Sequence, residues 1–255
     1  MLSTLGVVWI PPHTADEDPV SWLRLLPTRR FGGKSLVDWV VRRVTDAQRL
    51  DGVIVVMGAD DAERQVGRLV PPDVPCFYSD RGDALGRLAA AADEYPAAAL
   101  VGVSVENPFV DPVLIDQLLT AAETQGNFDY ATYVGREHGA AALAQLGVLA
   151  EWISAEALRR ADRLARRASD RQSMGGFLQQ RPRQFRTLRV PLPAELDRDD
   201  LRLAISVEED WDHAQVIFEA LGPDGLDWQR IANLLDCQPA LRRRMADLNR
   251  TAAAL

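Results

Sequence analysis

The feature that most constrains the fold of this chain is the alternation of short apolar runs with amphipathic segments in its first half. Runs of β-branched and small apolar residues occupy 5–10, 51–58 and 98–105, and each is short enough to be a strand buried on both faces. The segments 34–48 and 111–125 place apolar residues at helical spacing instead. Strands that alternate with helices predict an α/β fold with a mostly parallel sheet and helices on both of its faces.

The remaining segments extend this pattern with less regularity. Further strands are predicted at 74–79, 129–134, 146–154, 184–193 and 201–207. Further helices are predicted at 60–70, 83–95, 155–169, 208–221 and 227–249, the last of them broken at Pro239. No repeat or low-complexity linker divides the chain, so we expect a single domain over residues 1–255.

Charge and composition exclude several classes of function. A net charge of −8 argues against nonspecific binding of nucleic acid, and no segment has the long uncharged run of a membrane span. The N-terminal segment lacks a basic region and a cleavage site, which favours a first buried strand over a signal peptide. Cys76 and Cys237 are far apart, and His13, His138 and His213 form no zinc pattern. A reduced, cytoplasmic protein is therefore expected.

Five segments in a fixed order resemble the cytidylyltransferase family typified by spore coat polysaccharide biosynthesis protein F. They are similar, more distantly, to the CMP-KDO and acylneuraminate cytidylyltransferases. The resemblance spans residues 5–248, and its segments are GGKSLVDWVVRRV, DGVIVVMGADD, FYSDRGDALGRLAAAADEY, VENPFVDPVLIDQLL and LRLAISVEEDWDHAQVIFEAL.

This resemblance implies a Rossmann-like three-layer α/β/α sandwich of the glycosyltransferase-A or nucleotidyltransferase type, with a mixed, mostly parallel sheet. Residues 1–135 would be the nucleotide-binding half and 136–255 the acceptor-side half. The implied reaction joins a nucleoside monophosphate from CTP to a sugar and releases pyrophosphate, in the biosynthesis of a cell-surface polysaccharide. Mg²⁺ is the implied cofactor, because it stabilises the charge that develops on the phosphates.

The resemblance places triphosphate contacts in the loop 11–30, where the family has a basic, glycine-containing sequence. Here the loop has no glycine, and its acidic run 16–18 would repel a triphosphate. Arg24 and Lys34 are the candidate phosphate contacts. Simple surface charge is the alternative that the loop composition favours.

Nucleotide contacts are also implied in the stretch SDRGDALGR, which matches a family motif closely. Asp83, Leu85 and Arg87 are the candidate nucleotide-binding residues. The alternative is equally direct: Asp83 caps a helix, Leu85 belongs to the core and Arg87 is solvated. The sequence leaves both interpretations open.

The metal site is where the sequence departs most from the family. Glu106 replaces the Asp that would bind Mg²⁺, and its extra methylene moves the carboxylate oxygens by about an ångström or more. Ser206 stands where a second metal-binding Asp is expected. Glu208 is the nearby acid that we name as its replacement, although 208–210 also suit the first turn of a helix.

The sugar site implied by the resemblance is altered as well. Leu149 replaces an acidic residue, and Glu151 with Trp152 are the candidate substrate contacts. Arg171 is kept as the candidate catalytic residue, while the segment 172–176 lacks the expected Glu-His pair.

Two classes of function follow from these departures. One is a divergent CTP:sugar cytidylyltransferase, and the other is a non-catalytic family member, a pseudoenzyme, that binds a nucleotide or a partner protein. A glycosyltransferase of similar fold is a weaker third candidate. It usually needs a D-x-D-like metal motif at the end of a strand, and the stretch SVEN at 104–107 has only one carboxylate. The number of carboxylates that meet at one metal separates the first two.

Formation of a homodimer is a further expectation. Relatives of this kind are often homodimers, and Trp152 or the arginine-rich helix 155–169 are the candidate interface elements. The positive face of that helix could also meet phosphates, but a solvated helix face is the interpretation that we favour.

Overall fold

The structure, a computed structural model, describes residues 2–12, 22–136 and 143–253. Its main sheet has seven strands in the order β5-β4-β1-β6-β8-β7-β9, and β2 with β3 forms a separate two-stranded ribbon. The strands are β1 (Leu2–Trp9), β2 (Arg30–Phe31), β3 (Lys34–Ser35), β4 (Gly52–Gly58), β5 (Cys76–Ser79), β6 (Ala97–Ser104), β7 (Tyr130–Val134), β8 (Glu151–Ser154) and β9 (Thr187–Pro191).

Helices pack on both sides of this sheet, where two hydrophobic clusters form the core. They are α1 (Trp22–Leu25), α2 (Leu36–Thr45), α3 (Asp61–Gly67), α4 (Ala84–Glu94), α5 (Pro112–Gln125), α6 (Ala155–Leu164), α7 (Gly176–Gln179), α8 (Glu208–Leu221), α9 (Trp228–Asp236) and α10 (Pro239–Ala253). The predicted Rossmann-like α/β fold with a mixed, mostly parallel sheet is confirmed. None of the described helices is long and apolar enough to cross a membrane.

Strand direction decides which side chains meet at the site. Strand β8 runs antiparallel to β6 and β7, while the other paired strands of the main sheet are parallel. The carboxyl ends of β1, β6, β7 and β9 therefore lie at one edge of the sheet, together with the first residue of β8. Glu106, two residues beyond β6, and Glu151, the first residue of β8, come to this same edge.

Two predicted elements are corrected by the structure. The segment 201–207 is not a strand: the backbone N–H groups of Leu203 and Ala204 donate to Gln145 and that of Ile205 donates to Glu106, all in loops. The side chains of 201–207 alternate as in a strand, but the segment pairs with no strand in the part of the chain that the structure describes. The helix predicted at 155–169 ends at Leu164, and a separate 3₁₀ turn follows at Ala168–Arg171.

Some predictions fall outside the described residues, namely those for the acidic run 16–18 and for His13 and His138. Both cysteines are free thiols. On α6, Arg159 forms an ion pair with Asp93, and Arg160 forms one with Asp129.

Candidate functional site

A cavity of about 600 Å³ lies over the carboxyl edge of the sheet. Alternate residues of a strand point to the same face, and β6 and β9 each contribute such alternate residues to this cavity, while β7 contributes three successive residues at its end. The strand residues that line it are Trp9, Gly102, Ser104, Thr132, Tyr133, Val134, Glu151, Thr187 and Arg189. The volume and the mixture of polar and apolar walls suit a small-molecule ligand.

Glu106 forms the wall between this cavity and a smaller one of about 130 Å³, because it lines both. Ser104 donates a hydrogen bond to the Glu106 carboxylate across 3.1 Å. Burial raises the pKa of the Glu106 carboxyl from an ordinary value of 4.5 to about 7, and the bond from Ser104 opposes this only in part. Near neutral pH this group can therefore exchange a proton.

Glu151 is the second carboxylate in the cavity wall, and it is held by a fixed set of donors. The hydroxyl of Tyr130 donates to Glu151, and the amide of Gln179 donates to Tyr130 at 2.7 Å. Burial raises the pKa of Glu151, while hydrogen bonds from Tyr130, the Gly175 backbone and Gln179 oppose the shift.

A close backbone approach holds this arrangement in place. A Cβ added at Gly175 would come within 2.3 Å of the Tyr130 hydroxyl oxygen, so only glycine fits there. The segment 172–176, which lacks the Glu-His pair that the resemblance implies, also lines the cavity. It contributes Ser173 and Gly176 to the cavity wall, and the end of α7 contributes Gln179.

At the position of the expected second metal carboxylate, the structure has a buried ion pair. Arg202 and Asp210 are 3 % and 2 % exposed, and they bond through Nε to Oδ1 at 2.6 Å and through Nη2 to Oδ2 at 3.0 Å. The hydroxyl of Ser206 accepts from Arg202 at 2.6 Å. The backbone N–H groups of Ser206 and Val207 donate to Asp210 as well.

These residues do not fit a Mg²⁺ centre of the implied kind. Mg²⁺ requires several hard oxygen ligands in octahedral geometry. Asp210 is neutralised by Arg202, and the Ser206 hydroxyl is neutral, so of the two positions where the resemblance implies a metal-binding carboxylate, Glu106 alone carries one. No group of three or more His, Cys, Asp or Glu side chains that could hold a metal ion occurs within the described ranges.

Glu208, named from the sequence as the replacement ligand, does not line either cavity. Its side chain is 66 % exposed at the start of α8, and its carboxylate lies 3.9 Å from Arg29. Its role in metal binding stays a prediction, and the structure does not bring it beside Glu106 in the cavity wall.

The candidate nucleotide residues after β5 are occupied by contacts within the protein. Asp83 caps α4 by accepting from the Gly86 N–H at 2.8 Å, and Leu85 is fully buried. Arg87 is 7 % exposed and makes two 3.0 Å hydrogen bonds to Glu63. The expected cap and the core leucine are confirmed, but the alternative of a solvated Arg87 is wrong, because Glu63 holds it inside the fold.

Arg171, the candidate catalytic residue, is bound to two acids. Its guanidinium lies 2.9 Å from Asp83 and forms an ion pair with Asp162. It also donates to the backbone carbonyls of Asp162 and Ala165. Arg171 does not line the cavity, and its contact with a sugar stays a prediction.

The other predicted site residues lie apart from the cavity. Arg24 is half-buried in α1, while its neighbours Leu23 and Leu26 line the smaller cavity. Lys34 is exposed in β3. Trp152 faces away from the cavity that Glu151 lines, because successive strand residues point to opposite faces. It is half-buried against the core.

Several lining residues were not anticipated, among them Gln145, Thr187 and Gln179. Thr187 is of particular interest, because its hydroxyl oxygen is buried and no residue that the structure describes forms a hydrogen bond with it. Period-two alternation in the strand predicted at 184–193 was the available signal for Thr187. Nothing local in the sequence marks Gln145 or Gln179.

Residues 27–178, more than half of the chain, match the family model described as the MobA-like NTP transferase domain. Spore coat polysaccharide biosynthesis protein SpsF of Bacillus subtilis is 24 % identical over 228 residues, which cover 86 % of this chain and 91 % of that protein.

Two solved structures share the fold. A cytidylyltransferase from Leptospira borgpetersenii serovar Hardjo-bovis has a TM-score of 0.80 at 15 % identity, with 94 % of this chain and 97 % of that chain covered. A CMP:2-keto-3-deoxy-manno-octonic acid synthetase complexed with CTP has a TM-score of 0.59 at 13 % identity, covering 86 % of this chain and 99 % of that chain.

Proposed function

The chain belongs to the family of MobA-like NTP transferase domains, and from this premise we propose that it is a CTP:sugar cytidylyltransferase-like protein with weak transfer activity. The observation that carries the proposal is the position of Glu106 in the wall between two cavities at the carboxyl edge of the sheet. In open α/β sheets that edge is where ligands bind. The CTP complex of the synthetase of similar fold supports the choice of nucleotide.

The transfer would join the sugar to the nucleotide in one displacement. A sugar hydroxyl oxygen bonds to the α-phosphorus of CTP, the bond from that phosphorus to the bridging oxygen breaks, and pyrophosphate leaves. The hydroxyl proton must go to an acceptor. Glu106 is the acceptor in this proposal, since it lines both cavities and a carboxyl with a pKa of about 7 can accept a proton at neutral pH.

Weak transfer is part of the proposal because charge stabilisation is incomplete among the described residues. Phosphoryl transfer depends mainly on positioning and on cations placed at the developing negative charge. One carboxylate with a raised pKa is a poor holder for a divalent ion, and Asp210 is neutralised by Arg202. The second candidate function, a non-catalytic protein that binds a nucleotide or a partner, is favoured by this same ion pair.

Pyrophosphate release tests the two candidates. The protein would be incubated with CTP, Mg²⁺ and a panel of sugars, with Glu106→Gln as the variant and Asp73→Asn, an exposed acid before β5, as the control. Slow release that Glu106→Gln reduces and Asp73→Asn preserves supports the proposal. CTP binding without release supports the second candidate. Fast release comparable to that of ordinary enzymes, about 1 s⁻¹ or more, would contradict the incomplete site.

A further inference from the structure

The larger cavity has an unusual balance of charge among its described lining residues. Two carboxylates, Glu106 and Glu151, stand in its wall. The single arginine of that lining is Arg189, which is exposed on the edge strand β9. An exposed cation is screened by water and salt, whereas the carboxylates act at short range in a partly desolvated space.

The way Glu151 is held makes the wall unfavourable to an anionic ligand. Tyr130 and the Gly175 backbone fix its carboxylate, so it cannot turn away from a bound group. A ligand carboxylate placed beside it would lose water, and when Glu151 is ionised two like charges would lie side by side. Both effects weaken binding of the charged form.

The remaining polar groups of the wall have the chemistry that matches hydroxyl groups. Asn107, Gln145 and Gln179 present amides, which both donate and accept. The buried hydroxyl oxygen of Thr187 has no hydrogen-bond partner among the described residues, and a buried polar group without a partner is costly. A ligand hydroxyl would satisfy it. Leu149 adds apolar surface for the carbon face of a ring.

We propose that this cavity takes a sugar without a carboxylate group, neutral or amino-substituted, and that Glu106 and Glu151 reject sugar acids. The inference rests on the proposed function for the placement of an acceptor sugar, and it names the class of that acceptor. Carboxylate oxygens accept hydrogen bonds from sugar hydroxyls, and they pair with an ammonium group. The Leu149 side chain stands where the family resemblance implies an acid, so the cavity has its own pattern of polar groups.

Matched sugars separate charge from shape. Ligand-observed NMR would compare glucose, glucosamine and glucuronate, and then the galacto and manno series in the same way, each up to about 10 mM, a limit that still detects weak millimolar binding. Within one series the ring configuration is constant, and only the charged group differs. We expect at least one neutral or amino sugar to bind about tenfold or more tightly than the acid of the same series.

Three variants assign the selection to residues. Glu106→Gln and Glu151→Gln are each expected to reduce the preference against the acid, and Asp73→Asn, which removes the same charge outside the cavity, should leave it unchanged. A thermal melt of each variant separates loss of the fold from loss of selection. Glu106→Gln carries the test if Glu151→Gln does not fold.

Two results would overturn the inference. One is an acid that binds more tightly than its neutral counterpart, above all if Arg189→Gln abolishes that binding. The other is the absence of binding by every neutral and amino sugar of the panel. Calorimetry with CTP alone keeps the two proposals distinct. Sugar selection without CTP binding would leave this inference standing and remove the proposed function. CTP binding together with a preference for acids would support the proposed function and overturn this inference.

Discussion

The polar side chains in two regions of the sheet's carboxyl edge are used in opposite ways. Beside β4 and β5, Arg87 and Glu63 are buried against one another, and Asp83 caps a helix while it pairs with Arg171. Beside β6 and β8, Glu106 and Glu151 line a cavity of about 600 Å³. In the first region the polar groups bond to one another within the fold, and in the second they face open space.

This contrast teaches that motif similarity and ligand access are separate properties. Asp83, Leu85 and Arg87 stand in a stretch that resembles the family, and all three form contacts within the fold. The cavity wall does not depend on those residues for folding, and there Leu149 has replaced an expected acid. The larger departure from the family therefore lies in the part of the molecule that has room for a ligand.

The largest expected effect comes from breaking the buried ion pair between Arg87 and Glu63. Arg87→Ala leaves the Glu63 carboxylate buried without its partner, which we expect to lower the free energy of unfolding by about 3–5 kcal/mol. Arg68→Ala, on an exposed residue just after α3, should change it by about 0.5 kcal/mol or less. Urea unfolding measures both. A stable Arg87→Ala variant that has lost only CTP affinity would show that Arg87 is a ligand-binding residue, and the comparison between the two regions would fail.

A smaller effect is expected from the glycine that supports the cavity. Gly175→Ala places a Cβ within 2.3 Å of the Tyr130 hydroxyl, and we expect a loss of about 1–3 kcal/mol together with weaker sugar binding. Gly82→Ala is the matched control, because its Cβ would meet nothing within 4 Å. Equal stability of the two variants would mean that Tyr130 and Glu151 are free to rearrange.

The next effect is a pH dependence due to Glu106. Its pKa in the folded protein is about 7, above the ordinary 4.5, so between these values the folded state binds more protons than the unfolded state. The contribution of Glu106 to stability therefore falls as the pH rises through this window. Glu106→Gln does not titrate, and its stability relative to the parent should rise by about 1–3 kcal/mol between pH 4 and pH 8.

Chemical unfolding of both proteins at the two pH values measures this difference, since all other groups titrate alike in both and cancel. A difference between Glu106→Gln and the parent that stays constant with pH would show that Glu106 is ionised and solvated throughout. It would then be a more suitable metal ligand than the structure indicates.

Much of the fold was predictable because its signals are local. Strand runs, helical spacing and the cap at Asp83 depend on neighbouring residues, and the expected end of β6 before Glu106 is confirmed. The burial of Arg87 was not predictable, since its partner Glu63 lies in a different helix. The pair formed by Arg202 and Asp210 was equally hidden, because the alternating pattern of 201–207 suggested a strand.

Within the candidate site, the meeting of Glu106 and Glu151 at one edge depends on the antiparallel direction of β8. That direction is set by pairing with β6 and β7 and not by the composition of the strand. The sequence did mark both acids as candidates. It could not show that one helix-cap residue, Asp83, would also hold the candidate catalytic Arg171.

The central claim is that the described residues keep a ligand cavity but do not complete a divalent metal centre. Calorimetric titration of CTP, with and without Mg²⁺, tests it most directly. The account predicts that Mg²⁺ changes the dissociation constant of CTP by about threefold or less, which corresponds to about 0.7 kcal/mol. A strengthening of about tenfold or more by Mg²⁺ that is lost in Glu106→Gln would contradict it.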